Sequence, residues 1–398
     1  MHQRQLIGCL LIVALVSIQP AFAADPQQSY LEGTNHLYNL DFGPAEATFG
    51  SLTREYPDNP DYWNALASTY WLRILYNQQQ LNFDSFAARD RFGTTESKDN
   101  VTEAEEKQLR DAAEKAIATA DVILKKDSKS IRGLYAKGNA YATLASFEAT
   151  IKRSWISAAK KAKAAREFHK DILEMDPNYN DARTAVGIYD YAVGSLSWGA
   201  RFLVRMVGLG GGDKEGGIRD LETAAAKGAR ASTEAKMLLV VVYGREKEFD
   251  KANRVIDELQ ARYPRNFMLE MSKASLYGKA NRWDLSAQTY RHIADKINGK
   301  KDGYERMRLE RVLYELANSQ FQAQKFEDAD KTFAQVAAAE HSTPNEKANA
   351  HLWMGRMSDT RHDRKDALQH YNAILKLQAD PSIKSDAQRG IKRPFGNP

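Results

Sequence analysis

Apolar residues recur three and four places apart along most of the chain, in blocks parted by short polar breaks. That spacing predicts a series of amphipathic helices. The blocks also pair. Ala45-x3-Phe49-x2-Leu52 closes at Pro57, and Trp63-x2-Leu66-Ala67-x2-Tyr70 opens the next pair. A unit of about 34 residues brings the pairs into step. With the first unit at 26–59, position 8 holds Gly33, Ala67, Gly138, Gly187, Val240, Ala274, Ala317 and Gly355. Position 20 holds Ala45, Ala116, Ala165, Gly217, Ala252, Ser286, Ala329 and Ala367. Position 24 carries bulky residues such as Phe49, His169, Ile256, Tyr290, Phe333 and Tyr371, and Pro57, Pro177 and Pro264 stand at position 32.

Two helices joined by a short turn approach closely where their axes cross. A side chain larger than a methyl at that point holds them apart, so positions 8 and 20 are small while positions 4, 11 and 24 fill the flanking space. Proline near position 32 ends the second helix, since it lacks an N–H and biases the residue before it away from helix. No single unit buries its apolar face, and stacking buries it between neighbours.

In this register the chain resembles the tetratricopeptide repeat superfamily, with Trp63-x2-Leu66-Ala67-x2-Tyr70 matching its first-helix pattern. The resemblance implies an all-α fold: an α-solenoid of helical hairpins wound as a right-handed superhelix, about eight repeats with three insertions. The stretch Gly208–Ala226 is similar to a segment of the tetratricopeptide repeat protein 39 group, and no function is carried over from it. In the superfamily the concave groove is lined by first-helix positions 2, 5, 9 and 12. Carried residue by residue onto this chain, these positions give Tyr30, Asn64, Ser68, Trp71, Tyr135, Asn139, Thr184, Tyr191, Asn318 and Phe321. Asn139 and Asn318 at position 9 can bond both N–H and C=O of an extended peptide. Trp71, Tyr135, Tyr191 and Phe321 would supply aromatic anchors. The clamp for C-terminal carboxylates used by chaperone-binding members is missing, because Tyr135 stands at position 5 before Asn139, and Asp181 and Glu234 at position 2 of the next units.

Three stretches break the step. Residues 76–101 are polar and read as a loop with a short helix near 83–91. Residues 142–160 lengthen a helix whose continuation to 170 carries seven basic residues, a solvated face or a surface for an anionic partner. Residues 191–217 are apolar and Gly-rich, fitting a packed hairpin, a lid or a docking patch. The implied divisions are a leader at 1–23, an N-terminal array at 24–232, a second array at 233–381, and a capping helix and tail at 382–398.

Composition narrows the function. Residues 6–18 form an apolar run after Arg4, and Ala21-Phe22-Ala23 offers small residues for cleavage, the pattern of an export signal. A periplasmic or secreted protein is expected, cut after Ala23. The single Cys falls in that leader, which removes disulfides, thiolate metal sites and Cys nucleophiles from the mature chain. A formal charge of +5 is too mild to imply nucleic acid. The histidines form no H-E-x-x-H or H-x3-H set. His169 sits where a core aromatic normally does. Gly208–Gly212 lacks the spacing of a phosphate loop, and Gly194–Gly199 is one residue off a nucleophile elbow. No metal or cofactor is therefore expected and the chain does not read as an enzyme. It reads as an exported interaction module or scaffold that holds a protein or peptide in its groove. The alternative is an envelope subunit touching a membrane or outer-membrane complex through 191–217. Oligomeric state is not encoded in these patterns.

Overall fold

The computed structural model describes residues 25–78, 101–206 and 208–396. The leader expected at 1–23 and the short helix expected near 83–91 lie outside the described residues. Among the described residues, regular structure is helical throughout. The first hairpin is α1 (Pro26–Tyr38) with α2 (Phe42–Glu55), the second α3 (Pro60–Asn77) with α4 (Glu103–Lys126), and the third α5 (Ile131–Thr150) with α6 (Trp155–Met175). In the fourth, α7 (Arg183–Gly194) and α9 (Lys214–Lys227) flank an extra helix, α8 (Trp198–Met206). The fifth is α10 (Ser232–Arg245) with α11 (Phe249–Arg262), and the sixth α12 (Phe267–Lys279) with α13 (Trp283–Asn298). The seventh is α14 (Leu309–Gln322) with α15 (Phe326–Ala338), and the eighth α16 (Pro344–Thr360) with α17 (Arg364–Lys376). A last helix, α18 (Pro381–Lys392), packs on the eighth hairpin.

The small-residue register marks the helix crossings. A methyl added at Gly33 would come 2.7 Å from the Phe49 ring, and one at Gly355 2.7 Å from the Tyr371 ring. At Gly187 it would meet the Gly217 carbonyl oxygen at 2.8 Å, and at Gly138 it would strike the His169 imidazole. Ala67, Ala274, Ala317, Ala45, Ala116, Ala252, Ala329 and Ala367 are fully buried, and Ala165 nearly so. Each crossing therefore sets a small residue of one helix under a large one of the next. Burying a ring such as Phe49, Phe333 or Tyr371 contributes about 1.5–3 kcal/mol per side chain.

Helix starts carry the capping residues that the breaks in the pattern imply. Asp25, Asn59 and Asn266 accept backbone N–H bonds as N-caps of α1, α3 and α12. Thr102 with Glu105, and Thr343 with Glu346, form reciprocal capping boxes at α4 and α16. Helix ends show a second signature. Leu40, Lys247, Asn281, Gln324 and His362 all adopt the left-handed conformation, two residues past the end of α1, α10, α12, α14 and α16. The next residue in each case donates its N–H five positions back, for example Asp41 to His36 and Lys325 to Gln320, both at 2.9 Å. This is the Schellman turn, repeated in five hairpins. The same turn follows α8, at Gly208, and α13, at Lys300, whereas α5 and α7 end without it. The 142–160 stretch adds no element of its own: α5 and α6 are simply long, joined by residues 151–154. The hairpins run on through 232/233, where α10 begins.

The array bends back on itself. Asn266 Nδ2 donates to the Tyr38 carbonyl at 2.8 Å, and the Arg265 N–H donates to Asn39 Oδ1 at 3.1 Å. Arg265 pairs with Asp41, and the Tyr38 and Tyr263 rings lie 5.2 Å apart. Met268 is buried in the same apolar cluster as Leu37, Leu40 and Phe42, with Phe267 packed against it. The turn of the first hairpin thus meets the link between the fifth and sixth. Hairpins one to five form a closed ring, and the remainder continues from it as an arm.

Candidate binding surfaces

In the ring the first helices face inward, and most groove residues read from the sequence are tied to the chain itself. Asn64 is buried and its Nδ2 donates to the Ala136 carbonyl at 2.8 Å. Ser68 Oγ lies 3.3 Å from Thr143 Oγ1, and Trp71 Nε1 donates to Thr150 Oγ1 at 3.0 Å. All three contacts join α3 to α5, so positions 5, 9 and 12 of the second hairpin bind its neighbour. Tyr191 is buried and donates its hydroxyl to Glu246 at 3.0 Å.

Asn139 lies 3.1 Å from His169 Nε2, and His169 Nδ1 is 2.8 Å from the Ala165 carbonyl. Burial pushes the His169 imidazole down to about 4, so the ring is neutral. The neutral ring has a single N–H and donates it to one of two facing oxygens, the Ala165 carbonyl or Asn139 Oδ1. His169 is a buried core residue at a register position that normally holds an aromatic.

The N-terminal ends of the ring's first helices converge on a second group. The Arg230 guanidinium pairs with Asp61 at 3.2 Å and lies over the Tyr30 and Tyr135 rings, 5.7 and 5.6 Å from their centres. Asp181 Oδ1 accepts the N–H groups of Arg230 and Ala231, both at 2.9 Å. Tyr135 packs edge-on against Tyr179 at 5.5 Å, and Tyr263 shares a hydrogen bond with Thr233 at 3.0 Å. Burial lowers the Arg230 proton affinity, but Asp61 and the tyrosine hydroxyls outweigh it and hold the group above its ordinary value. Burial, then Asp181, raises the Glu234 carboxyl. The sequence placed Tyr30 and Tyr135 in the groove. It gave no sign of Arg230, which sits in a turn outside the repeat register.

The arm is different. Asn318 and Phe321, one helical turn apart on α14, are both partly exposed. The Phe321 ring lies 4.8 Å from Trp353 of α16 and 5.5 Å from Phe326. Arg356 stacks over Trp353 at 4.8 Å. The result is a shallow aromatic strip beside a position-9 asparagine. Trp353 belongs to it although it stands at position 6, which is why the register alone missed it.

A third surface is α8. Trp198 is 85% exposed, Phe202 53% and Met206 70%. The spacing puts them on one face, with the Trp198 and Phe202 rings stacked at 6.2 Å. Arg201 turns the other way and caps the Gly194 and Leu196 carbonyls. Among the described residues no group of three or more His, Cys, Asp or Glu is arranged to hold a metal, and no helix is long and apolar enough to cross a membrane.

Closely crossed hairpins stacked in a 34-residue register define a helical-repeat interaction protein. The Tetratricopeptide repeat family (TPR_16) matches residues 314–382, the seventh and eighth hairpins. Residues 314–382 thus carry the tetratricopeptide repeat, and the described hairpins before them share its close helix crossings. No curated protein matches the sequence. Among the solved structures that resemble it, three are each 12% identical. Yeast Tom70 covers 93% of this chain and 89% of its own, with a TM-score of 0.33. The human IFIT1 dimer with m7Gppp-AAAA covers 92% and 80%, at 0.38. A tetratricopeptide repeat protein from Parabacteroides merdae covers 91% and 97%, at 0.26. At these scores nothing further about this chain follows from them.

Proposed function

We propose that the protein is an exported scaffold that holds an extended segment of a protein partner on the concave face of its arm. The family match supports the coarser reading, a protein–protein interaction module. The observation that carries the finer one is the contrast in groove positions. Asn64, Trp71, Asn139 and Tyr191 are occupied within the ring, whereas Asn318, Phe321 and Trp353 stay accessible in the arm. An asparagine beside stacked aromatics offers backbone hydrogen bonds and a desolvated anchor together. Export rests on the leader pattern at 1–23. Binding rather than catalysis is the reading throughout. The test is a pull-down from envelope extract with wild type and with Asn318→Ala plus Phe321→Ala. The double variant should keep its helicity and lose the partner, and equal capture by both would sink the arm assignment.

The exposed stripe on α8 favours a second reading, in which Trp198, Phe202 and Met206 seat the scaffold on an envelope complex. Fractionation decides it: Trp198→Ser plus Phe202→Ser should release a bound pool, and a wild type that washes free in moderate salt refutes it.

A further inference from the structure

We infer that the chamber at the centre of the ring is a binding site for a cationic group, a primary ammonium or a guanidinium, seated on tyrosine rings with Glu234 as its counterion. The inference is independent of the arm, which lies outside the ring.

The walls come from four of the five ring hairpins and the turns between them. Tyr30 and Tyr38 stand on α1, Tyr135 on α5, Tyr179 before α7, and Tyr263 just past α11. Closure of the ring brings Tyr38 to Tyr263 at 5.2 Å, while Tyr135 meets Tyr179 at 5.5 Å where the third hairpin ends. These rings accept a flat cation, because Arg230 already lies over two of them at 5.6 and 5.7 Å.

The charges do not cancel. Arg230 is matched by Asp61, and Asp181 is engaged by two backbone N–H groups. That leaves Glu234. Its charge bears on Tyr30, Tyr38 and Tyr135, and no basic side chain is among the groups that act on it. Glu234 and Arg230 are exposed, and Tyr30, Tyr38 and Tyr179 partly so, yet burial raises the Glu234 carboxyl. Side chains that touch water while protein surrounds them line an enclosed, wet space. The dipole of α10 accounts for a carboxylate in its first turn. It does not account for the tyrosines around it. An anion is disfavoured, since three carboxylates face one guanidinium. An unneutralised carboxylate among aromatic faces fits a cation held by charge and ring together.

The cation could be a free amine or a basic side chain of a partner peptide, and two probes separate these. Spermidine and a capped tri-lysine peptide are titrated into the full-length protein by calorimetry at fixed ionic strength. Saturable binding of spermidine alone marks a free-amine site, and binding of the peptide assigns a side chain. Glu234→Gln should raise Kd by about tenfold or more, the scale of one carboxylate–cation contact with aromatic support, and Glu234→Asp should recover part of it. The Asn318→Ala plus Phe321→Ala variant should bind as wild type does, so failure here and failure of the arm reading are told apart. A readout that needs no variant is the near-UV circular dichroism of wild type, which the bound cation should change through the tyrosines. Neither probe binding at ~10 mM, well above the range of a built site, would overturn the inference. So would equal binding by folded Glu234→Gln.

Discussion

The ring and the arm are built from the same 34-residue unit, yet their concave faces serve different ends. In the arm, three Schellman turns in succession hold hairpins six to eight to one shape. There Asn318 and Phe321 stay partly exposed. In the ring, α5 and α7 end without that turn, and the array curves until α1 meets the start of α12. Inner positions there find partners on the adjacent hairpin or within their own. The comparison teaches that a position in the repeat register fixes which way a side chain points, while the turns fix whether anything is left for it to bind.

The comparison can be broken most forcefully at a ring crossing that is closed by backbone. Gly187→Trp should cost about 3 kcal/mol or more through overpacking, because backbone of Gly217 blocks the space. A melting curve unchanged from wild type would refute the crossing. Next is His169, whose pKa of about 4 in the folded protein lies below the 6.5 of the unfolded chain. The unfolded state therefore takes up the proton first as pH falls. The His169 contribution is complete above about pH 6.5 and is lost as pH drops toward 4, by at most about 3 kcal/mol. Denaturation of His169→Phe across that window should show a shallower slope. The closure itself comes third. Asn266→Ala removes a hydrogen bond and a helix cap and should cost about 1–2 kcal/mol, with a larger radius of gyration by X-ray scattering. Unaltered scattering together with that loss would mean that the ring does not depend on this contact. The smallest effect belongs to the arm. Gln324→Gly relieves a left-handed residue and should stabilise by roughly 0.5–1 kcal/mol, read as a rise in Tm. A fall would show that the turn is held by its side chain.

Much of the fold was legible because the crossings are local. Gly33 under Phe49, and Gly355 under Tyr371, follow from a steric rule that acts within one hairpin. The turn signature was hidden, since Leu40, Lys247, Asn281, Gln324 and His362 share no residue type, and of these only asparagine is a usual left-handed cap. Ring closure was hidden more deeply. Asn39 and Arg265 meet only because small rotations accumulate over five hairpins, and no pattern within a unit records their sum. The same holds for the candidate sites. Asn318 and Phe321 were found by register. Arg230 was not, because the turn that holds it belongs to no repeat position.

Closure also changes how the chain comes apart. An open repeat array gains contacts only between neighbours, and its end units loosen first. Here the first helix is joined to residues more than two hundred positions away. Forming that joint requires a long loop to close, which slows folding relative to an array of purely local contacts. Once formed, α1 is no longer a free end. Loosening it means parting the ring, so hairpins one to five gain or lose their structure together. Unravelling that proceeds one unit at a time is left to the other end of the molecule, starting from α18.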